Sequence, residues 1–331
     1  AFTAQGRDVR MSEERIEGYK FFVNKIWNAA KFSMMNLEDY VVDDETAPGN
    51  IDLSLPDRWI LARLNRTVDE VIRGLDEYRF NDATGSLYQF VWHEFCDWYL
   101  ELIKPVLYSR DPSTQRRATQ RTLFAAFRSI LKLLHPFMPF LTEELWQSIV
   151  ADGASIMVSS YPEADRGLED EDAERRMGLI MDCITRIRNI RGEMNIAPSK
   201  KLNVVISAPD EALEGILNEG RDYIANLGSL ETLTVGVNLE EPKGAAIGVV
   251  GPVRVFVLME GMIDVVAEKA RLDKEINKVA RDLSVVSQKL ANPDFRAKAA
   301  EAVIRKEEQK HRDLREKHQV LEAAVKKLEA L

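Results

Sequence analysis

The sequence predicts a mainly α-helical protein in three parts: a helical bundle over residues 1–165, a small α+β subdomain over 166–263, and an antiparallel coiled-coil hairpin over 264–331. Three observations carry this. Apolar residues recur at helical spacing from residue 12 to about 150, short β-rich runs appear between about 172 and 261, and two heptad seams follow. With 331 residues, 45% of them hydrophobic, the chain can bury the cores of two or three domains.

In the first part, interruptions at Pro48-Gly49, Pro105, Asp111-Pro112 and His135-Pro136 delimit five helices. Each has a face to bury. Ile60, Leu61, Leu64, Val68, Val71, Ile72 and Leu75 form one stripe, and Leu87, Phe90, Val91, Phe95, Trp98, Leu102 and Ile103 another. Short connections between such helices give an antiparallel bundle. On the first helix, Ile16, Tyr19, Val23, Ile26, Trp27, Ala30 and Met34 form the expected core stripe. Glu143-Glu144 reads as the first turn of a helix after Thr142.

The second part reads as a helix ending near Met194, a strand from Leu202, a helix over residues 211–226, and strands at 230–237 and 253–259. Gly244, Gly248 and Gly251-Pro252 read as turns. In the third part Leu272, Ile276, Val279, Leu283, Val286 and Leu290 form one seam, and His311, Leu314, His318, Leu321, Val325 and Leu328 the other. Asn292-Pro293-Asp294 lies between them, so the arms fold back on each other, the first projecting roughly 40 Å at ~1.5 Å per residue.

The formal charge of −9 rules out an overall basic footprint. Residues 264–331 carry 16 Lys plus Arg against 13 Asp plus Glu, so the hairpin is the basic end at +3 and the remainder is −12. Arg271, Lys274, Lys278 and Arg281 recur every three or four residues on the first arm; Arg305, Lys306, Lys310, Arg312, Arg315 and Lys317 crowd the second. Two readings fit such rows: a track for a phosphate backbone, or solvated coiled-coil charge. A second basic cluster, Arg186, Arg188, Arg191, Lys200 and Lys201, equally suits a nucleic-acid backbone or a helix C-terminus.

Opposite the core stripe of the first helix, Phe21, Lys25, Asn28 and Phe32 stand at i, i+4, i+7 and i+11. Aromatic faces stack on unpaired bases while amide and ammonium groups reach base edges and phosphates; a second packing face would have the same spacing. Trp59, Arg63 and Arg66 form a similar outward set on the next helix, open to the same two readings.

Catalytic chemistry is not expected of this chain. Its four histidines, His93, His135, His311 and His318, show no metal-ligand spacing, and Cys96 and Cys183 are isolated, pointing to a cytoplasmic chain without a zinc site. His311 and His318 fall on the coiled-coil seam, as polar packing positions. No apolar run is long enough to span a bilayer, and Ala1-Phe2-Thr3 opens no signal peptide and reads as a cut.

The segments Ser12-Glu13-Glu14-Arg15-Ile16-Glu17-Gly18-Tyr19, Asn24-Lys25-Ile26-Trp27-Asn28-Ala29-Ala30, Phe95-Cys96-Asp97-Trp98-Tyr99-Leu100-Glu101 and His135-Pro136-Phe137-Met138-Pro139-Phe140-Leu141-Thr142-Glu143-Glu144-Leu145-Trp146 resemble bacterial-type valyl-tRNA synthetases. The resemblance covers the whole chain, as anticodon-binding bundle, α+β connection and C-terminal coiled coil. Isoleucyl and leucyl relatives share the bundle motifs, but the isoleucyl family usually ends in a cysteine-rich zinc module, whereas the hairpin beginning Ala270-Arg271-Leu272 is similar to the valyl one.

The resemblance implies a parent enzyme that charges tRNA with valine, using ATP and Mg in a catalytic domain upstream; its HIGH and KMSKS signatures have no match here. No cofactor is expected in this chain. Valine tRNA is the implied partner, with no membrane contact and a monomeric state. The family's stacking aromatic matches Phe32, directly after Lys31, and a family arginine falls on Glu14 with Arg15 adjacent. The family's coiled coil packs on the outer corner of tRNA, where the D and T loops meet. The alternatives are a structural or protein-interaction coiled-coil module, and the equivalent part of a related class I synthetase.

Overall fold

The computed structural model describes residues 12–40, 53–109, 113–149, 153–260, 265–292 and 301–329. The chain divides into two compact units, Ala1–Gly178 and Leu179–Leu331, the division falling inside one helix. As the apolar periodicity predicts, the architecture is mainly helical, with a small sheet and a helical hairpin. The junctions at Pro48-Gly49, Asp111-Pro112 and Pro293-Asp294 lie outside the described residues.

The first unit holds α1 (Glu13–Leu37), α2 (Leu55–Asp76), a continuous rod of α3 (Phe80–Tyr88), a π-helical segment (Gln89–Tyr99) and α4 (Leu100–Tyr108), then α5 (Thr114–Leu134) and α6 (Pro139–Ile149). Ser54 starts α2 by accepting the Asp57 N–H, with Pro56 in the first turn. Asp57 is itself fully buried and accepts hydrogen bonds from Ser54 (2.5 Å), the Tyr99 hydroxyl (2.8 Å) and Thr119 (3.0 Å). Burial pushes its carboxyl above the usual range, and its hydroxyl partners tie α2, the π-helical segment and α5 together. A Cβ on Gly74 would sit 3.0 Å from that of Ala83, so glycine permits the close crossing of α2 and α3.

Three expectations for this unit are corrected. The core face of α1 is Phe22, Ile26, Ala29, Ala30 and Ser33, leaving Tyr19 and Trp27 exposed. Phe22 packs on Tyr88 and Trp92, with centroids 4.9 and 6.1 Å away, while Ser33 enters the core because its hydroxyl donates to the Ala29 carbonyl at 2.9 Å. Pro105 does not end its helix. It lies on the exposed side, where water can bond the carbonyl that its missing N–H leaves free. Finally, α6 begins at Pro139, ahead of Thr142, and the Glu143 carboxylate accepts from Ser155 (2.8 Å) and the Ile156 N–H (3.2 Å).

α7 (Glu171–Glu193) runs into the second unit, which contains β1 (Leu202–Ala208), α8 (Glu211–Glu219), α9 (Arg221–Gly228), β2 (Leu230–Val237), β3 (Ala245–Val250) and β4 (Val253–Leu258). The sheet order is β2-β1-β4-β3, with β1 parallel to β2 and the remaining pairs antiparallel. Gly220 splits the single helix expected over 211–226; a Cβ there would meet Ile180 at 2.4 Å. Gly248 is an interior residue of β3, not a turn, and its missing side chain leaves room for Arg186, 2.5 Å from where a Cβ would stand.

The unit ends in α10 (Val265–Ala291) and α11 (Glu301–Glu329), paired antiparallel: Lys289 meets Glu307 and Lys317 meets Glu275. Val279 and Leu321 are buried together, with Ile276, Leu314 and Val325 packed around them, which are predicted seam residues. His311 lies on that seam with Nε2 3.0 Å from the Ser287 hydroxyl.

Candidate nucleic-acid interface

Phe21, Lys25, Asn28 and Phe32 of α1 line one groove of about 650 Å³, opposite Trp92 and Cys96 of the π-helical segment and Leu100, Glu101 and Lys104 of α4. Phe21 is 56% exposed and Phe32 half-buried, its ring tilted against that of Tyr108 at 6.3 Å. Asn24 and Asn28, one turn apart, are exposed, and neither amide has a hydrogen-bond partner among the described residues. The groove therefore offers aromatic faces and free amides on adjacent turns.

Its charges are compensated. The Lys25 ammonium is paired with Asp97 and lies 4.4 Å from the centroid of the Trp92 ring, and Lys104 is paired with Glu101. Cys96 is no nucleophile, since burial pushes its thiol up to about 12. Sequence reasoning missed Trp92, Asn24 and Lys104. The spacing Tyr88, Trp92, Cys96 was the available signal, hidden by treating the whole segment as one α-helical core stripe.

On the hairpin, Lys274, Lys278 and Arg281 are exposed and, with Asn277 and Asp282, surround a shallow depression on α10. None of the three has a carboxylate within 4.0 Å among the described residues. At about 100° per residue they fall within roughly 60° of one another, and the backbone position of Arg271 continues the row, its side chain lying outside the described residues. The α11 cations Arg305, Lys306, Lys310, Arg312 and Arg315 are exposed but spread around most of their helix. Among the described residues, the stripe on the first arm is the more compact of the two sets.

Residues 57–206 match the family described as the anticodon-binding domain of tRNA ligase, and residues 264–329 match the valyl tRNA synthetase tRNA binding arm. The whole chain is 44% identical to a valine–tRNA ligase of Geobacter sulfurreducens and 42% identical to that of Syntrophotalea carbinolica. The chain carries the anticodon-binding domain of tRNA ligases and the tRNA binding arm of valyl-tRNA synthetases. It spans 37% of the length of both relatives, and 98% of it aligns at 43% identity with 36% of the valine–tRNA ligase of Nitratidesulfovibrio vulgaris.

The outward set on α2 is corrected. Trp59 is 2% exposed, on the buried side of α2 with Leu55 and Ile60. Arg63 donates to Glu94 (2.8 and 2.9 Å) and Glu174 (3.1 Å), and Arg66 to Glu174 (2.7 Å), so these arginines join α2 to the π-helical segment and α7. Lys31 is exposed but does not line the groove. The Arg15 side chain lies outside the described residues.

In the cluster at the end of α7, the three arginines bond to backbone carbonyls of other segments, beyond the last turn of α7 itself. Arg191 donates to the carbonyls of Ala197, Lys200, Gly228 and Ser229, Arg188 to that of Leu227, and Arg186 to that of Ile247. Among the described residues, no three His, Cys, Asp or Glu side chains could hold a metal ion, and no helix is long and apolar enough to cross a membrane.

Proposed function

We propose that this chain is the tRNA-holding portion of a valine–tRNA ligase: the α1 groove receives anticodon bases and the α10 stripe follows phosphates at the outer corner of valine tRNA. The observation that carries it is the convergence of Phe21, Lys25, Asn28 and Phe32 with Trp92 on one groove, within a chain whose matched families are an anticodon-binding domain and a tRNA binding arm. A packing face would have buried all of those side chains against a neighbouring helix; Lys25 and Phe32 do touch the π-helical segment and α4, but Phe21 and Asn28, with Asn24 beside them, stand open.

In this reading the chain acts as a cytoplasmic monomer and binds no cofactor of its own. Activation of valine with ATP and Mg, and transfer to the tRNA end, belong to a catalytic domain outside these 331 residues. Binding of the chain to valine tRNA and to an anticodon-swapped transcript, at one fixed salt concentration, tests the assignment. Tighter binding of the cognate transcript is expected; equal affinities would overturn the anticodon part.

A further inference from the structure

We propose that Asp97 and Trp92 are positioning residues that hold Lys25 as a reader of a neutral base edge, so that the groove takes an unpaired base and leaves its phosphates outside. This rests on the reading of the groove as an anticodon site and names what Lys25 does there. The Lys25 ammonium has two anchors, the Asp97 carboxylate and the face of the Trp92 ring 4.4 Å from it. Both come from the π-helical segment, where bonds close over five residues, as from the Leu100 N–H to the Phe95 carbonyl. Residues 92 and 97 are five apart, so the wide turn brings them to one side.

An ammonium carries three N–H donors, and Asp97 takes one while a ring face attracts the charge without consuming a donor. A neutral acceptor, a carbonyl oxygen or ring nitrogen, can take another. A phosphate there would lie beside the Asp97 carboxylate, with one lysine between two anions. The other groove lysine, Lys104, is likewise matched by Glu101, so no groove cation is uncompensated. The unpartnered amides of Asn24 and Asn28 supply the donor-and-acceptor pairs that read a base edge. Sequence discrimination therefore arises here with little salt dependence, and the salt slope arises on α10.

The test uses the full 331-residue chain, with affinities for valine tRNA and for an anticodon-swapped transcript measured across a salt series, and folding of each variant checked by thermal melts. For Lys25→Gln, the ratio of the two affinities falls about tenfold while the salt slope is unchanged. Asp97→Asn and Trp92→Leu lower the ratio similarly, and Asp97→Glu keeps it. A Lys25→Gln chain that retains the ratio but loses about 0.7 of slope would make Lys25 a phosphate ligand and overturn the inference. Full discrimination by Asp97→Asn would overturn the role of Asp97, and full discrimination by Trp92→Leu that of Trp92. A wild-type chain that binds both transcripts equally would overturn the anticodon reading, and this inference with it.

Discussion

Arg58 grips both carboxylate oxygens of Asp170, its Nε donating at 2.8 Å and its Nη2 at 3.0 Å, which fastens α2 to the residue ahead of α7. Asp170 also accepts the Ala173 N–H at 2.9 Å, capping the helix. The Arg58 hydrogen bonds hold this carboxyl below its ordinary value of 3.8. Its stabilisation is complete above that value and is lost as the pH falls through the lowered one. Asp170→Asn should cost about 1 kcal/mol at pH 7, with the gap from wild type closing in acid, as urea melts at pH 7 and below 3 would measure. Asp57 acts with the opposite sign: raised by burial, its contribution is complete below its ordinary 3.8 and lost as the pH rises through the folded value.

Two tryptophans should separate stability from surface. Trp59→Ala empties a core position and should cost about 3 to 5 kcal/mol, whereas Trp27→Ala, at a side chain 39% exposed, should cost under about 1 kcal/mol. Equal losses in denaturant melts would contradict the placement of these rings.

Phe21→Ala and Phe32→Ala should each weaken valine tRNA binding by about 1 to 3 kcal/mol, the worth of one aromatic platform under a base. Phe21 is the cleaner probe because it is 56% exposed and its removal should leave the melting temperature in place. Filter binding at fixed salt measures both.

Replacing Lys274, Lys278 and Arg281 together by Gln should flatten the dependence of log Kd on log salt by about 0.9 for each duplex phosphate that these cations neutralise. The same treatment of Arg305, Lys310 and Arg312 should flatten it less, because Lys310 stands about 140° around the helix from Arg305. Titrations at several salt concentrations distinguish the arms.

Much of this molecule was legible in its sequence because the signals were periodic. The hairpin seam through Ile276, Val279, Leu314, Leu321 and Val325, and the α1 row of Phe21, Lys25, Asn28 and Phe32, follow from spacing alone. What spacing could not convey was pairing. Arg63 and Arg66 look available until Glu94 and Glu174, distant in sequence, are brought beside them. Arg191 looks like a surface cation until four carbonyls converge on it. Gly248 looks like a turn because the Arg186 side chain that needs its space is far away in the chain. Trp92 was hidden because a wheel drawn at α-helical pitch loses phase across a segment with five-residue bonding.

That loss of phase makes the rod from Phe80 to Tyr108 behave as a gear with one displaced tooth. Removing any single residue from the α-helical stretch Phe80–Tyr88, ahead of the wide turn, would rotate each residue beyond it by about 100°. Leu100, Glu101 and Lys104 would swing away from α1 although none of them had been altered. Sequence length in this stretch is therefore under tighter constraint than residue identity: substitutions there are absorbed one side chain at a time, while a deletion dismantles a whole wall.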